Sequence, residues 1–519
     1  MQVVEMYHYG VGKTATSVDL ALHPPPDGAV LFRWLYHEIR SAILEGRLRR
    51  GARLPATREL AKRYRISRGT VISTFDQLQA EGYLEARVGA GTRVNTHLPE
   101  DLLPAKSGVS AAGARKSPRP KLSKYGLRLT PAPDVRVPPP RPFRLLTPAF
   151  DAFPLSLWSQ IASRRLRGVT RQLLADENPR GYRPLREAVS AYLGSARGVR
   201  CTWDQVIILA GIQQALDLTA RIVLDPGDEV WLEDPCAFLV ADMFRAMGAR
   251  VVPVPVDDQG LNVAEGRRRS RRAKLAYVTP AHQFPLGVSM SASRRLALLD
   301  WARQSGALIF EDDYDSEYRY AGRPLPSLQG IDTTGSVILA GSFSKVLFPS
   351  LRLGYLVASG ELVEKFAAGR MLMDRHSSLI DQAILCDFIT AGHFGSHIRR
   401  MRELYAGRLA VLCDAVRRKL RGALEIGETQ AGMHTVGWLA VGLDAGAVAK
   451  AAMERNVEAI PLRRFCLKAR HPEGLLLGFA SVDDNELRRG VDRLAAALED
   501  CSRRSSNEPG ASLRGSRSG

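Results

Sequence analysis

Lys345 stands in the run LAGSFSKVLFPSLRLGYLV, residues 339–357, between Ser342, Ser344 and Arg352, with apolar residues on either side. Lysine is strongly hydrated and almost never fully buried without a partner, so an apolar setting argues against ordinary surface duty. One chemistry that needs a desolvated lysine is a Schiff base with a carbonyl compound. The competing reading is a loop lysine between two strands. Asp312 and Tyr314 lie upstream in EDDYD, directly after the apolar run ALIF. Taken alone, that stretch reads equally as an acidic turn.

The elements that position these residues are legible as alternating runs. QVIILAG, EVWLEDP, LAYVTP, GALIFEDDY, GSVILAGSFSK and RLGYLVAS are strand-like and apolar throughout, and helical patterns separate them. Strands of that kind form a parallel sheet covered on both faces. Such sheets bind ligands beyond the carboxyl ends of their strands, where EDDY and SFSK both fall. The spacing from Asp312 to Lys345 suits one connection between adjacent strands.

A second constellation lies near the N-terminus. Leu31, Leu35, Ile39 and Ile43 recur at helical spacing. Thr57 is placed to cap a short helix from Arg58 to about Tyr64, and Ser67 a third to about Ala80 with the stripe Val71, Phe75 and Leu78. Two short helices joined by RIS match a helix-turn-helix, and GYLEARVGAGTRV reads as two strands joined by a glycine-rich turn, a wing. Arg68, Thr70 and Ser73 would face base edges in a DNA major groove, while Arg58 and Arg93 would meet phosphate or the minor groove.

Charge supports a polyanion partner. The chain has 519 residues and a net charge of +19. Residues 31–97 carry 13 Lys/Arg against 6 Asp/Glu, and residues 98–142 carry 9 against 3, so two thirds of the excess lies in about a fifth of the length. Residues 98–142 also hold 10 of the 30 prolines and no sustained apolar period, the composition of an extended linker. This divides the chain into an unpatterned extension (1–28), a winged helix-turn-helix (29–97), a Pro-rich basic linker (98–142), a large α/β domain (143–501) and a disordered tail (502–519). GVGKTA in the extension lacks the first glycine of a phosphate loop, since Tyr7 holds that place. Six scattered cysteines without a C-x-x-C pair read as reduced thiols in a cytoplasmic protein, and no apolar run approaches the roughly 20 residues of a membrane helix.

LPATRELAKRYRISRGTV and EGYLEARVGAGTRV resemble the winged helix of the GntR regulators. NPRGYRPLREAV, LEDP, YVTPAHQFPLG, IFEDDYDSEYRY and GSFSKVLFPSLRLGY resemble the fold-type I aminotransferases, and the whole chain is similar to the MocR regulators, which fuse the two. The resemblance implies an α/β fold: a winged helix plus an aminotransferase-like domain with a mostly parallel sheet and a smaller C-terminal α/β subdomain. It also implies pyridoxal 5'-phosphate as cofactor. Lys345 would form its Schiff base, Asp312 would pair with the pyridinium nitrogen and Tyr314 would reach the phenolic oxygen. Ser342, Ser344 and Arg352 would bind the phosphate, helped by backbone amides at Gly211 and Ile212.

Three departures from the aminotransferase pattern stand out. Ala210 and Ile212 replace the usual hydroxyls around Gly211. EDPCAF puts Ala237 where an aromatic ring normally stacks on the cofactor, with Phe238 next to it. HQFPLG lacks the asparagine of NPTG, which leaves His282 or Gln283 to serve. PLRRFCLKAR offers Arg463 and Arg464 for an effector carboxylate, and the resemblance favours Arg464. Two functions follow. One is a homodimeric transcription regulator that binds double-stranded DNA and senses pyridoxal phosphate, or an amino acid or amine, through an aldimine. The other is an aminotransferase with an appended DNA-binding module.

Overall fold

A computed structural model of the chain describes residues 22–26, 28–87, 91–102, 121–129, 140–321 and 326–506. Most of the expected N-terminal extension, including GVGKTA, most of the expected linker and residues 507–519 of the expected tail lie outside the described residues. The chain divides into two compact units, Met1–Pro120 and Lys121–Gly519.

In the first unit, helix α1 (Leu31–Leu44) buries Trp34, Leu35, Ile39, Ala42 and Ile43, while Leu31 at its start stays exposed. Helix α2 (Thr57–Tyr64) begins one residue earlier than expected. The Ala56 carbonyl accepts from the Leu60 amide at 3.1 Å, so Ala56 holds the cap position and Thr57 lies inside the first turn. Arg65, in the left-handed region at φ 52°, ends α2 and turns the chain into α3 (Arg68–Ala80). Ser67 caps α3, accepting from the Thr70 amide at 3.0 Å, and Val71, Phe75 and Leu78 are buried beneath it. Strands β1 (Leu84–Arg87) and β2 (Gly91–Val94) pair antiparallel as the wing.

The unit is longer at both ends than its expected boundaries. Leu98 joins the same core, and Arg50 binds Asp101 through two contacts of 2.7 Å, so residues 98–102 belong to it rather than to the linker. At the other end the Leu22 amide donates to the Tyr64 hydroxyl at 2.9 Å, and Trp34 Nε1 donates to the His23 carbonyl at 3.1 Å.

The second unit is built on an eight-stranded sheet. Its strands are β3 (Val206–Leu209), β4 (Glu229–Asp234), β5 (Arg250–Asp257), β6 (Gly260–Leu261), β7 (Ala273–Val278), β8 (Leu308–Asp313), β9 (Val337–Ser342) and β10 (Gly354–Val357), in the order β3-β10-β9-β8-β7-β4-β5-β6. The run RLGYLVAS departs from the expected parallel sheet, as does the short β6, which pairs antiparallel with β5. As β10 that run lies antiparallel to both β9 and β3, because the short connection from β9 reverses the chain at Arg352. Side chains alternate faces as strand geometry requires: Ile207 and Leu209 pack into one core while Val206 and Ile208 pack into another. Helices cover both faces. A smaller antiparallel sheet of β11 (Leu424–Ile426), β12 (His434–Leu439), β13 (Ile460–Pro461) and β14 (Gly474–Gly478) forms the C-terminal subdomain.

Two further boundaries shift. Residues Lys124–Arg128, expected as extended linker, form a helical turn capped by Ser123, and Arg128 donates to the Ala246 carbonyl at 3.5 Å. The last helix, Asp484–Ser506, continues five residues into the expected tail.

Candidate cofactor and nucleic-acid sites

The carboxyl ends of β3, β7, β8 and β9 surround a cavity of about 270 Å³. Its walls include Gly211, Ile212, Ala237, Asp312, Tyr314, Ser342, Ser344, Lys345 and Arg352. Pairing of β8 with β9 sets Asp312 opposite Ala340. That register brings the end of β8 beside the short helix Phe343–Val346, whose third residue is Lys345. Gly211 caps the twelve-residue helix Ile212–Val223 at φ 126°, a conformation closed to side chains with a Cβ, and this turns the helix N-terminus to the cavity. Arg352 reaches the wall from a left-handed turn at φ 49°.

The electrostatics follow from burial. Asp312 is 8% exposed, and its Oδ2 accepts from the Tyr277 hydroxyl at 2.5 Å, while Oδ1 is buried with no hydrogen-bond partner in the protein. Loss of solvent pushes its carboxyl up to about 7 against the opposing pull of Tyr277, and the nearby carboxylates of Asp313, Asp315 and Glu233 add to the rise. Lys345 moves the other way. Burial lowers its ammonium below the usual lysine range, opposed by Asp315 and Asp312, and Nζ donates to the Leu146 carbonyl at 3.3 Å. Burial holds the Tyr314 hydroxyl well above its ordinary range.

Several expected site residues lie elsewhere. His282 stands behind Tyr314: its Nδ1 is 3.0 Å from both Asp315 Oδ2 and the Tyr314 hydroxyl, and it does not line the cavity. Gln283 is committed to the Pro235 and Phe284 carbonyls at 2.8 and 2.7 Å. The side chain at the wall is Phe284, immediately before Pro285, where NPTG carries its asparagine, so an apolar ring replaces a hydrogen-bond donor. Phe238 is half exposed and turned toward Phe465, with ring centroids 6.3 Å apart, and does not line the cavity beside Ala237. Arg464 is exposed on the turn Leu462–Phe465 and is not part of the wall. Arg463 is tied to Asp444 and Glu473. Tyr277, Thr279 and Leu146 also line the cavity but escaped sequence reading, because mid-strand and loop residues of these types look like ordinary core.

On the first unit, Arg68 and Ser73 are exposed and Thr70 is half-buried, its hydroxyl 2.8 Å from Ser67 Oγ. All three lie in the first turns of α3. Arg58 is exposed at the start of α2. Arg93 departs from expectation: it is half-buried and donates to the Gly51 carbonyl at 3.0 Å, which anchors the wing to the loop before α2. The wing tip, residues 88–90, lies outside the described residues.

Residues 33–94 match the bacterial regulatory proteins of the gntR family, and residues 161–494 match aminotransferase class I and II. The probable rhizopine catabolism regulatory protein MocR of Rhizobium meliloti is 40% identical over 469 residues, covering 90% of this chain and 94% of that protein. This chain belongs to the MocR-type regulators. The transcriptional regulator TauR of Rhodobacter capsulatus is 31% identical across 92% of this chain and 98% of its own. Among solved structures, LysN, an alpha-aminoadipate aminotransferase of Thermus thermophilus complexed with N-(5'-phosphopyridoxyl)-L-leucine, matches with a TM-score of 0.67 at 28% identity, over 74% of this chain and 98% of that one.

A MocR-type regulator has the fold of pyridoxal phosphate enzymes, and the cavity suits that group. The unpartnered Asp312 Oδ1 is an acceptor for a ring N–H, and a cation there would restore the ionised carboxylate. Lys345 offers the amine. Ser342, Ser344 and Arg352, beside the N-terminus of the helix Ile212–Val223, suit a phosphate dianion.

Proposed function

We propose that this MocR-type chain is a cytoplasmic, homodimeric transcription regulator that binds double-stranded DNA through its winged helix and senses pyridoxal phosphate, or an amino acid or amine that exchanges with it. The observation that carries the reading is the presence, on one chain, of a basic winged helix and of a cavity that pairs Lys345 with the orphaned carboxylate oxygen of Asp312. Bound pyridoxal phosphate supplies an aldehyde that is linked to one amine at a time. The residues of the chain supply the rest. Asp312 Oδ1 accepts the ring N–H, and Tyr277 fixes the carboxylate from the other side. Burial shifts Lys345 away from the ammonium and toward the neutral, nucleophilic amine.

Lys345 also touches the segment that leaves the linker. Its partner Leu146 follows Phe143, which bridges to Gly478 of β14. Were an effector amine to displace Lys345 from the cofactor, Nζ would be freed and its contact with Leu146 would change, close to where Phe143 bridges to Gly478. Arg464, displayed outside the wall, takes an effector carboxylate only if the turn Leu462–Phe465 moves inward, so small amines without a carboxylate need no such movement.

The retained Asp312 and Lys345 also favour a second reading, an aminotransferase with a DNA-binding module. An absorbance titration of the purified protein with pyridoxal phosphate and then with amines, coupled to a keto-acid assay, separates the two. A visible band absent from Lys345→Ala and shifted by amines without sustained keto-acid release supports the sensor. Continuous release identifies the enzyme.

A further inference from the structure

His282, Asp315 and His434 meet in the interior of the second unit, each at most 1% exposed. One ligand-type atom from each lies within 4.8 Å of the other two. His282 and Asp315 follow β7 and β8, whereas His434 opens β12, so the cluster joins the large sheet to the C-terminal sheet. The rings are packed closely enough that Gly432, at φ 87°, has no room for a Cβ beside His282.

The outer bonds of the two imidazoles define their tautomers. His282 Nδ1 faces the Asp315 carboxylate at 3.0 Å, and His434 Nε2 faces the Pro285 carbonyl at 3.2 Å. An acceptor on that side requires the proton there, which leaves lone pairs on His282 Nε2 and His434 Nδ1. Both nitrogens are buried and neither has a hydrogen-bond partner in the protein. The ring centroids are 5.1 Å apart. A buried acceptor without a partner is destabilising, and two in one place ask for a common occupant.

The arrangement matches the way histidine is presented to a transition metal, with the outer N–H held by a carboxylate or carbonyl so that the inner lone pair is fixed in direction and more basic. A cavity of about 70 Å³, lined in part by Gly287, the exposed Glu428, Thr429 and His434, adjoins the cluster on the His434 side. We propose that His282 Nε2 and His434 Nδ1 hold a divalent transition-metal ion such as Zn²⁺, oriented by Asp315 and the Pro285 carbonyl and completed by water from the side cavity. The ion staples the two sheets of the unit directly behind Tyr314, whose hydroxyl bonds to the His282 carbonyl at 3.0 Å. This assignment does not depend on the cofactor reading.

The test uses full-length protein stripped with a chelator, loaded with Zn²⁺ or Co²⁺ and desalted. Wild type is expected to retain one metal per chain and to give the visible bands of coordinated Co²⁺. His434→Gln, which keeps a donor for Pro285, is expected to retain none, and Asp315→Asn to bind roughly 10-fold to 100-fold more weakly. A wild type that retains no metal and shows only aqueous Co²⁺ overturns the assignment, as does equal retention by folded His434→Gln. If that variant does not fold, paramagnetic shifts of two imidazoles in Co²⁺-loaded wild type support the site, and their absence refutes it.

Discussion

Asp312 is where binding and stability pull in opposite directions. Its carboxyl lies near 7 in the fold against an ordinary 3.8, so the folded state holds the proton more tightly than the unfolded chain. Well below 3.8 both states are protonated and the residue leaves stability unchanged; between about pH 4 and pH 7 the fold loses on the order of 4 kcal/mol, and above 7 the loss is complete. Asp312→Asn should therefore raise the thermal midpoint of the cofactor-free protein at pH 8 but not at pH 4, while removing cofactor binding. Equal midpoints for variant and wild type at pH 8 would refute the buried-charge explanation. Tyr277→Phe removes the hydroxyl bonded to Asp312 and should weaken pyridoxal phosphate binding about tenfold in an absorbance titration, the size expected of one hydrogen bond to a charged group. Lys345, Asp312 and Tyr314 were legible in the sequence because they follow apolar strands, where parallel sheets place ligands. Tyr277 was not, since a tyrosine inside a strand has the pattern of core. His282 was misplaced for a related reason: the loop after β7 turns its ring toward Asp315 and leaves Phe284 at the wall.

At the level of elements, α3 depends on its cap. Ser67→Ala removes the acceptor for the Thr70 amide and should destabilise the winged helix by about 1 kcal/mol, read in a thermal melt of that unit. Arg58 and Arg93 separate two roles that the sequence could not. Arg58→Ala, at an exposed helix start, should weaken DNA binding uniformly across sequences and reduce the salt slope by about 1. Arg93→Ala should mainly loosen the wing, because its guanidinium holds the Gly51 carbonyl, and a full loss of salt dependence on that substitution would contradict this. Helix existence and the wing were readable from periodicity and glycine placement. The start of α2 was not, since Ala56 offers no side-chain signal, and β5 was hidden because Pro253 and Pro255 interrupt an otherwise apolar run. The antiparallel β10 was invisible in composition, because a strand's direction is set by its connection rather than by its residues.

At the scale of the whole molecule, the basic N-terminal unit and the Pro-rich composition after it gave away a two-part organisation, while the boundaries depended on individual contacts. Asp101 fastens residues 98–102 to the winged helix, and Arg128 fastens the turn Lys124–Arg128 to the second unit. Neither contact has a periodic signature. The stretch that composition assigns to the linker therefore includes residues held by each unit. The most direct measurement is DNA affinity by fluorescence anisotropy at fixed salt, for wild type and Lys345→Ala, with and without pyridoxal phosphate, on a duplex selected from random sequence by the full-length protein. A cofactor-dependent change in wild-type affinity that is missing in Lys345→Ala is the result expected of a sensor working through that lysine. Identical affinities in all four conditions would contradict it.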